Sequence, residues 1–269
     1  MEPERKVIAK AKRVVLKVGT AVVTRDDGRL ALARIGGLVE TIRALRGEGR
    51  DVVLVSSGSI GLGANALNLA RPVASEDCPA AAAAGQGLLM EKYRQLFGNL
   101  DLSCAQVLLT EDDFSDLHRR DNLASTLSRL LDLECVPIIN ENDAVTSAIK
   151  MEHKQGVFYD NDRLAALTAV ALRADALIIL SDVDALFTTP PSHDDARRIP
   201  VFEDRAAVRF GSSNVMGRGG MQAKVASACR AAAQGVPVVI ASGLRPEALE
   251  RVMSGCDEGT LFMAEHPTG

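Results

Sequence analysis

Two clusters of acidic and amide residues lie on either side of one loop in the middle of the chain. The first cluster, residues 140–143, follows the apolar run 135–139, which predicts a short buried strand. The second cluster, Asp160, Asn161 and Asp162, precedes an Ala- and Leu-rich segment that predicts a helix. Taken alone, the second cluster is equally well explained as a helix cap. Together, the two clusters favour a binding site, because ligands of open α/β sheets bind where strands end.

The residue types in these clusters indicate which kind of group they would bind. Carboxylates and amides without histidine or cysteine among them suit an ammonium group better than a soft metal ion. Asp143 beside Asn140 is therefore a candidate site for a free amine. The four histidines of the chain show no spacing typical of metal ligands, and we expect no metal held by the protein itself.

Two lysines accompany glycine-rich turns, an arrangement typical of phosphate binding. Lys17 precedes a Gly-Thr step after the apolar run 14–16, and Lys224 lies one turn into a predicted helix, after a glycine cluster. Glycine lets the backbone approach a phosphate, while a lysine and a helix N-terminus attract its charge. The Ser- and Gly-rich turn 56–63 also follows a strand, but it matches neither of the common nucleotide-binding fingerprints. A surface lysine and a flexible glycine hinge are the alternative explanations.

Strands and helices are predicted to alternate along most of the chain. Segments 32–45 and 80–97 have helical character, and we expect the second to break near its two glycines, residues 85 and 87. The alternation predicts an α/β fold, a single-domain three-layer sandwich with a mostly parallel central sheet and helices on both faces. The polar and glycine-rich motifs all follow strands and can therefore converge on one edge of the sheet. The predicted strands begin with the runs 14–16, 51–56, 105–109, 135–139, 176–181, 236–241 and 259–262.

Composition narrows the class of protein. The chain has 269 residues, 47% of them hydrophobic, which is enough for a core, and a net charge of −4 that does not favour nucleic acid as a partner. The N-terminus lacks the apolar core of a signal peptide, and no stretch is apolar enough to span a membrane. We therefore expect a cytoplasmic protein. The five cysteines are scattered without a CxxC pair, which predicts buried, reduced thiols.

In combination, the motifs resemble those of the amino-acid kinase family and, within it, the glutamate 5-kinases. The resemblance extends from about residue 13 to about residue 262 and rests on six motifs in a fixed order. It implies the amino-acid kinase fold and ATP-dependent phosphorylation of the γ-carboxylate of L-glutamate to γ-glutamyl phosphate, the first step towards proline. The motifs are residues 15–20 (VLKVGT), 56–60 (SSGSI), 136–145 (VPIINENDAV), 160–165 (DNDRLA), 180–182 (LSD) and 217–224 (GRGGMQAK).

The resemblance also implies roles for individual residues. Lys17 and Lys224 would hold phosphates at the transferring centre, and Asp162 would orient both lysines as the third catalytic residue. The N-terminal lobe, about residues 1–170, would bind glutamate, and the C-terminal lobe, about residues 171–269, would bind ATP. Mg²⁺ would be carried on the phosphates of the nucleotide. Glutamate would contact Ser57, Asn140, Asp143 and Asn161. ATP would contact Lys17, Ser181, Asp182, Arg218, Gly219, Gly220, Met221, Gln222, Ala223 and Lys224.

Two departures from the bacterial pattern qualify the resemblance. Arg218 stands where many bacterial glutamate kinases have threonine and matches instead the kinase half of the bifunctional pyrroline-carboxylate synthases. The loop 147–159 is longer than the common bacterial one. We expect no C-terminal PUA domain and no reductase domain in this chain. The resemblance further implies a homodimer or homotetramer, feedback inhibition by proline, and a glutamyl-phosphate reductase as a possible partner.

Two other functions remain open from the residues. The first is a different amino-acid kinase, acting on N-acetylglutamate or aspartate. The second is a non-catalytic module that senses a nucleotide or proline. Lys17, Asp162 and Lys224 favour catalysis over sensing, since phosphoryl transfer depends mainly on positioning and on neutralising negative charge.

Overall fold

Eight strands form one sheet in the computed structural model of the chain, which describes residues 3–145, 161–203, 208 and 220–265. The strand order is β3-β4-β2-β1-β5-β7-β8-β6. Every neighbouring pair is parallel except β7 and β8, which confirms the predicted, mostly parallel α/β sheet. The strands are β1 (Arg13–Val18), β2 (Asp51–Val55), β3 (Ser103–Leu109), β4 (Cys135–Glu141), β5 (Ala176–Ser181), β6 (Val201–Phe202), β7 (Val238–Ser242) and β8 (Thr260–Phe262).

Helices cover both faces of this sheet and give the predicted three layers. The helices are α1 (Lys6–Ala9), α2 (Thr20–Val23), α3 (Leu32–Gly47), α4 (Ser59–Ala66), α5 (Cys78–Gly98), α6 (Asp112–Ser115), α7 (Leu117–Asp132), α8 (Asn161–Ala171), α9 (Met221–Ala232) and α10 (Ala248–Met253). One buried apolar cluster packs the first face of the sheet against α1, α3, α4, α5 and α10. A second cluster packs the opposite face against α6, α7, α8 and α9.

The alternation of side chains along β1 decides on which face Lys17 lies. Val14, Leu16 and Val18 belong to the first apolar cluster, whereas Val15 belongs to the second. Successive side chains of a strand point to opposite faces, so Lys17 shares the face of Val15. That face is covered by α8 and α9, the two helices that carry the other predicted charged residues.

Helix α5 is continuous, so the expected break near Gly85 and Gly87 is wrong. A Cβ atom on Gly85 would lie 1.8 Å from the backbone oxygen of Ser59, and one on Gly63 would lie 1.7 Å from that of Ala81. The backbones of α4 and α5 are therefore in direct contact at these glycines. This packing outweighs the low helix propensity of glycine, which is only a weak local preference.

The cysteines are free, but only Cys78 is buried. Cys104 and Cys135 are half-buried, which corrects the prediction of buried thiols. Cys104 lies on the edge strand β3, and Cys135 is the first residue of β4, so solvent reaches both. Within the described ranges, no helix is both long and apolar enough to cross a membrane.

Candidate active site

Lys17, Asp162 and Lys224 form a buried ion cluster at the carboxyl end of β1. Asp162 is the second residue of α8, and Lys224 lies in the first turn of α9. The Oδ1 atom of Asp162 is 2.5 Å from Nζ of Lys17, and its Oδ2 atom is 3.0 Å from Nζ of Lys224. The three residues are only 3%, 0% and 7% exposed, respectively. One carboxylate thus holds two ammonium groups side by side.

The electrostatics of the ion cluster favour an anionic ligand. Its three side chains contain two positive charges and one negative charge, and the N-termini of α8 and α9 add partial positive charge. A lysine in the first turn opposes the helix dipole, so Lys224 is not placed there to stabilise α9. Two ammonium groups and two helix N-termini together form a site suited to phosphate.

Ser57, Asn140 and Asn161 form a second group, the amide cluster, beside the ion cluster. Nδ2 of Asn161 lies 3.0 Å from Oγ of Ser57 and 3.1 Å from Oδ1 of Asn140 and donates hydrogen bonds to both. The backbone N–H of Glu141 also donates to Oδ1 of Asn140, over 3.0 Å. Because Asn161 and Asp162 are adjacent, the first turn of α8 belongs to both clusters.

Asp143 lies in the turn directly after β4 and is half-buried. The backbone N–H of Asn142 donates to the carbonyl oxygen of Leu109 over 2.8 Å, which ties this turn to the end of β3. Asp143 therefore follows the same strand that carries Asn140. Asp160 lies outside the described residues.

The end of β5 reaches the ion cluster through Gly19. The N–H of Gly19 donates to the carbonyl oxygen of Leu180 over 2.9 Å. A Cβ atom on Gly19 would lie 3.8 Å from both Nζ of Lys17 and Cα of Ser181, which places Gly19 between the ion cluster and the end of β5. Oγ of Ser181 donates to Oδ1 of the exposed Asp182 over 2.9 Å.

The glycine-rich segment before α9 is described only in part. Arg218 and Gly219 lie outside the described residues, as does the loop 147–159, and the predictions for them stay predictions. Gly220 is the N-cap of α9, and its carbonyl oxygen accepts from two N–H groups of the first turn. That turn consists of Met221, Gln222, Ala223 and Lys224.

The described residues do not contain a group of three or more His, Cys, Asp or Glu side chains arranged to hold a metal ion. Both carboxylate oxygens of Asp162 already face lysines. This donor set fits a Mg²⁺ ion that is carried largely by the phosphates of a nucleotide and keeps several of its waters.

Sequence reasoning missed two polar residues of α5 that support the amide cluster. Nδ2 of Asn140 donates to Oε1 of Gln86 over 2.8 Å, and the hydroxyl of Tyr93 lies 2.8 Å from Oγ of Ser56. Burial raises the pKa of Tyr93 to about 12. Their helical spacing on the buried face of α5 could have identified both residues, but only if the helix is predicted to continue through Gly85.

Comparison with known proteins shows extended similarity. Residues 12–242 match the model of the amino acid kinase family. Glutamate 5-kinase from Symbiobacterium thermophilum is 44% identical over 97% of this chain and 99% of its own length. Delta-1-pyrroline-5-carboxylate synthase from Mesembryanthemum crystallinum is 45% identical over 97% of this chain but only 38% of its own. The chain therefore spans about two fifths of the length of this plant relative.

Solved structures share the fold at low sequence identity. An isopentenyl phosphate kinase from T. acidophilum has a TM-score of 0.63 and 17% identity, covering 93% of this chain and 99% of its own. The UMP kinase of Bacillus anthracis has a TM-score of 0.61 and 17% identity, covering 95% and 97%. These likenesses concern the architecture of the sheet and its helical layers.

Proposed function

Because the chain belongs to the amino acid kinase family, we propose that it transfers the γ-phosphoryl group of ATP to the γ-carboxylate of L-glutamate. The observation that carries the proposal is the position of Asp162, which bridges two buried lysines and directly follows Asn161 of the amide cluster. This arrangement supports a site for phosphates beside a site for a polar amino acid. The similarity to a glutamate 5-kinase along almost its entire length supports glutamate as that amino acid.

In this mechanism, an oxygen of the γ-carboxylate attacks the γ-phosphorus of ATP. A P–O bond forms to the carboxylate, the bond to the β-phosphate oxygen breaks, and γ-glutamyl phosphate and ADP result. A free carboxylate with a pKa near ~4 is ionised at neutral pH, so no base is required to activate it. The reaction therefore depends mainly on positioning and on neutralising the charge that spreads over the transferred group.

Lys17 and Lys224 supply that neutralisation. Their ammonium groups are buried, so their attraction for phosphate oxygens is screened less than it would be in water. Asp162 holds both groups in place before ATP arrives, which reduces the reorganisation needed during the reaction. Mg²⁺ bound to ATP would add further positive charge at the phosphates. Ser181, Asp182 and the first turn of α9 would contact the nucleotide, as would Arg218 and Gly219.

The amino acid would bind at the amide cluster. Ser57, Asn140 and Asn161 offer hydrogen-bonding groups, and Asp143 offers negative charge for the α-ammonium group. N-acetylation would remove the positive charge that Asp143 is proposed to bind, so this feature favours glutamate over N-acetylglutamate.

Glutamate, aspartate and N-acetylglutamate should be compared in one assay of ADP release. Hydroxylamine added in parallel converts an acyl phosphate to a hydroxamate and so identifies the product. We expect ADP and hydroxamate in equal amounts with glutamate and little of either with the other two. Faster turnover of aspartate or N-acetylglutamate would refute the substrate, and ATP binding without ADP release would favour the sensing function.

Three further properties belong to the same proposal. ADP release should depend on Mg²⁺. Proline should compete near the glutamate pocket, and an unchanged glutamate KM in millimolar proline would refute this. The acyl phosphate product hydrolyses in water, so a glutamyl-phosphate reductase is the expected partner, and the protein itself would act as a homodimer or homotetramer.

A further inference from the structure

Gln86 is the polar amide of an otherwise largely apolar buried surface. The buried face of α5 consists mainly of alanine, leucine, methionine and phenylalanine side chains, whereas Gln86 is only 8% exposed. An amide that loses water must recover its hydrogen bonds inside the protein, so a glutamine here is unfavourable unless it serves a purpose. A leucine or methionine would fill the same volume without this cost.

The position of Gln86 is fixed by the backbone contact between α4 and α5. Its neighbour Gly85 approaches the carbonyl oxygen of Ser59 so closely that a Cβ atom would lie 1.8 Å from it. Ser59 is the first residue of α4 and follows the turn that carries Ser57. The same contact therefore sets Gln86 and the Ser57 turn relative to each other.

Gln86 determines which way the Asn140 amide faces. Oε1 of Gln86 accepts from Nδ2 of Asn140 over 2.8 Å, so Oδ1 of Asn140 is turned towards Asn161. There it accepts from Nδ2 of Asn161 over 3.1 Å and from the N–H of Glu141 over 3.0 Å. A reversed Asn140 amide would place N–H groups against both of these donors. Three amides thus form a chain with a single consistent orientation.

The second polar atom of Gln86 is unsatisfied. Its Nε2 is buried and has no hydrogen-bond partner in the part of the chain that the structure describes. A buried donor without an acceptor is unfavourable. The unsatisfied Nε2 belongs to a residue next to the amide cluster, which is expected of a binding site in which a ligand completes the hydrogen bonds.

We propose that Gln86 is a positioning residue for the amino-acid substrate, acting through Asn140 to orient Asn161. The inference rests on the proposed function, because it assigns the amide cluster to the amino acid. It separates Gln86 from nucleotide binding, since the residue acts on the amide cluster and not on the ion cluster. Loss of the Gln86 amide should therefore weaken binding of the amino acid without weakening binding of ATP.

The test compares wild type with Gln86→Met, which keeps the length of the side chain but removes both polar atoms. Gln95→Met is the matched control, because Gln95 lies on the same helix and is exposed, and its side chain accepts a hydrogen bond over 3.4 Å from Lys92. The readouts are the KM values for glutamate and ATP and the rise in unfolding temperature that each ligand causes. The thermal shift reports binding without turnover.

We expect Gln86→Met to raise the glutamate KM about tenfold, which corresponds to roughly one lost hydrogen bond, and to reduce the glutamate-induced thermal shift. The KM and the thermal shift for ATP should stay within about twofold of the wild-type values. Gln95→Met should match wild type in both KM values and both thermal shifts. A glutamate KM within about twofold of wild type would overturn the inference. Equal losses for glutamate and ATP would also overturn it, because they would indicate a purely structural role.

If Gln86→Met does not fold, Gln86→Leu provides a second apolar side chain, and failure of both means that the residue is structural only. If wild type uses another amino acid instead of glutamate, the proposed substrate is wrong, and the same comparison is made with the accepted amino acid. If wild type accepts none, both proposals fall together.

Discussion

Removal of the bridging carboxylate should destabilise the protein more than removal of either lysine that it contacts. Asp162 is fully buried and lies 2.5 Å and 3.0 Å from its two lysine nitrogens. At an effective dielectric constant near 20, each contact corresponds to about 5–7 kcal/mol of gross attraction, most of it offset by the cost of burying the charges. Asp162→Asn leaves the two ammonium groups without the carboxylate between them. We therefore expect the free energy of unfolding to fall by about 3–5 kcal/mol.

The double variant, which combines Asp162→Asn with Lys17→Met, tests the interaction more directly than either single variant. Lys17→Met alone removes one ammonium group and leaves Lys224 paired with Asp162, so its cost should be smaller, about 1–2 kcal/mol. Adding Lys17→Met to Asp162→Asn removes one of the two repelling charges. The double variant should therefore be more stable than Asp162→Asn alone, although it carries one more substitution. Such non-additivity is the signature of groups that interact directly.

Urea denaturation followed by far-UV circular dichroism measures these differences, because the chain has no tryptophan for fluorescence. Asp132→Asn is the control, since it makes the same chemical change at an exposed position and should stay within about 0.5 kcal/mol. Asp162→Asn within about 1 kcal/mol of wild type would refute the reasoning. So would a double variant that is no more stable than Asp162→Asn alone.

Three further predictions follow from individual residues. Gly85→Ala places a methyl group against backbone and should cost about 3 kcal/mol or more in urea denaturation, whereas Gly87→Ala on the same helix meets no atom within 4 Å and should stabilise by up to ~1 kcal/mol. The pKa of Tyr93, raised to about 12 by burial, means that the folded state keeps the phenol proton more tightly than the unfolded state, whose pKa is near 10. Stability should therefore fall as pH rises from 10 to 12, by about 2 kcal/mol more in wild type than in Tyr93→Phe, and parallel pH curves would contradict this. Lys224→Met should lower kcat for ADP release by about 10²–10³-fold while far-UV circular dichroism stays native, and a near-normal kcat would exclude a catalytic role.

Much of the fold was predictable because its strands are buried on both faces. Runs such as 51–56 and 176–181 are almost continuously apolar, which is typical of a central parallel sheet. The side-chain alternation of β1 places Lys17 on the face covered by α8 and α9, and this follows from the period of a strand. The meeting of Lys17 with Asp162 and Lys224 depends on contacts between distant segments, and only the combined motifs indicated it.

The rest of the site was not predictable from local patterns. Gly85 predicts a helix break, because helix propensity depends only on the residue itself. It does not include the contact with α4, which requires that no side chain is present at this position. Once α5 is divided there, Gln86 no longer belongs to the buried face and its contact with Asn140 cannot be inferred. The contact of Tyr93 with Ser56 also joins distant segments, and no local pattern indicates it, although Ser56 belongs to a recognised motif.

Under the proposed function, the adjacency of Asn161 and Asp162 would tie the choice of acceptor to the chemistry of transfer. Any displacement of the first turn of α8 moves both residues together, so under the proposed function the amino-acid site and the phosphate site would keep their spacing. The same link would restrict redesign of the site. Under the proposed function, a longer or shorter acceptor would have to be accommodated from the side of β2 and β4, because a shift of the backbone at Asn161 would also shift Asp162.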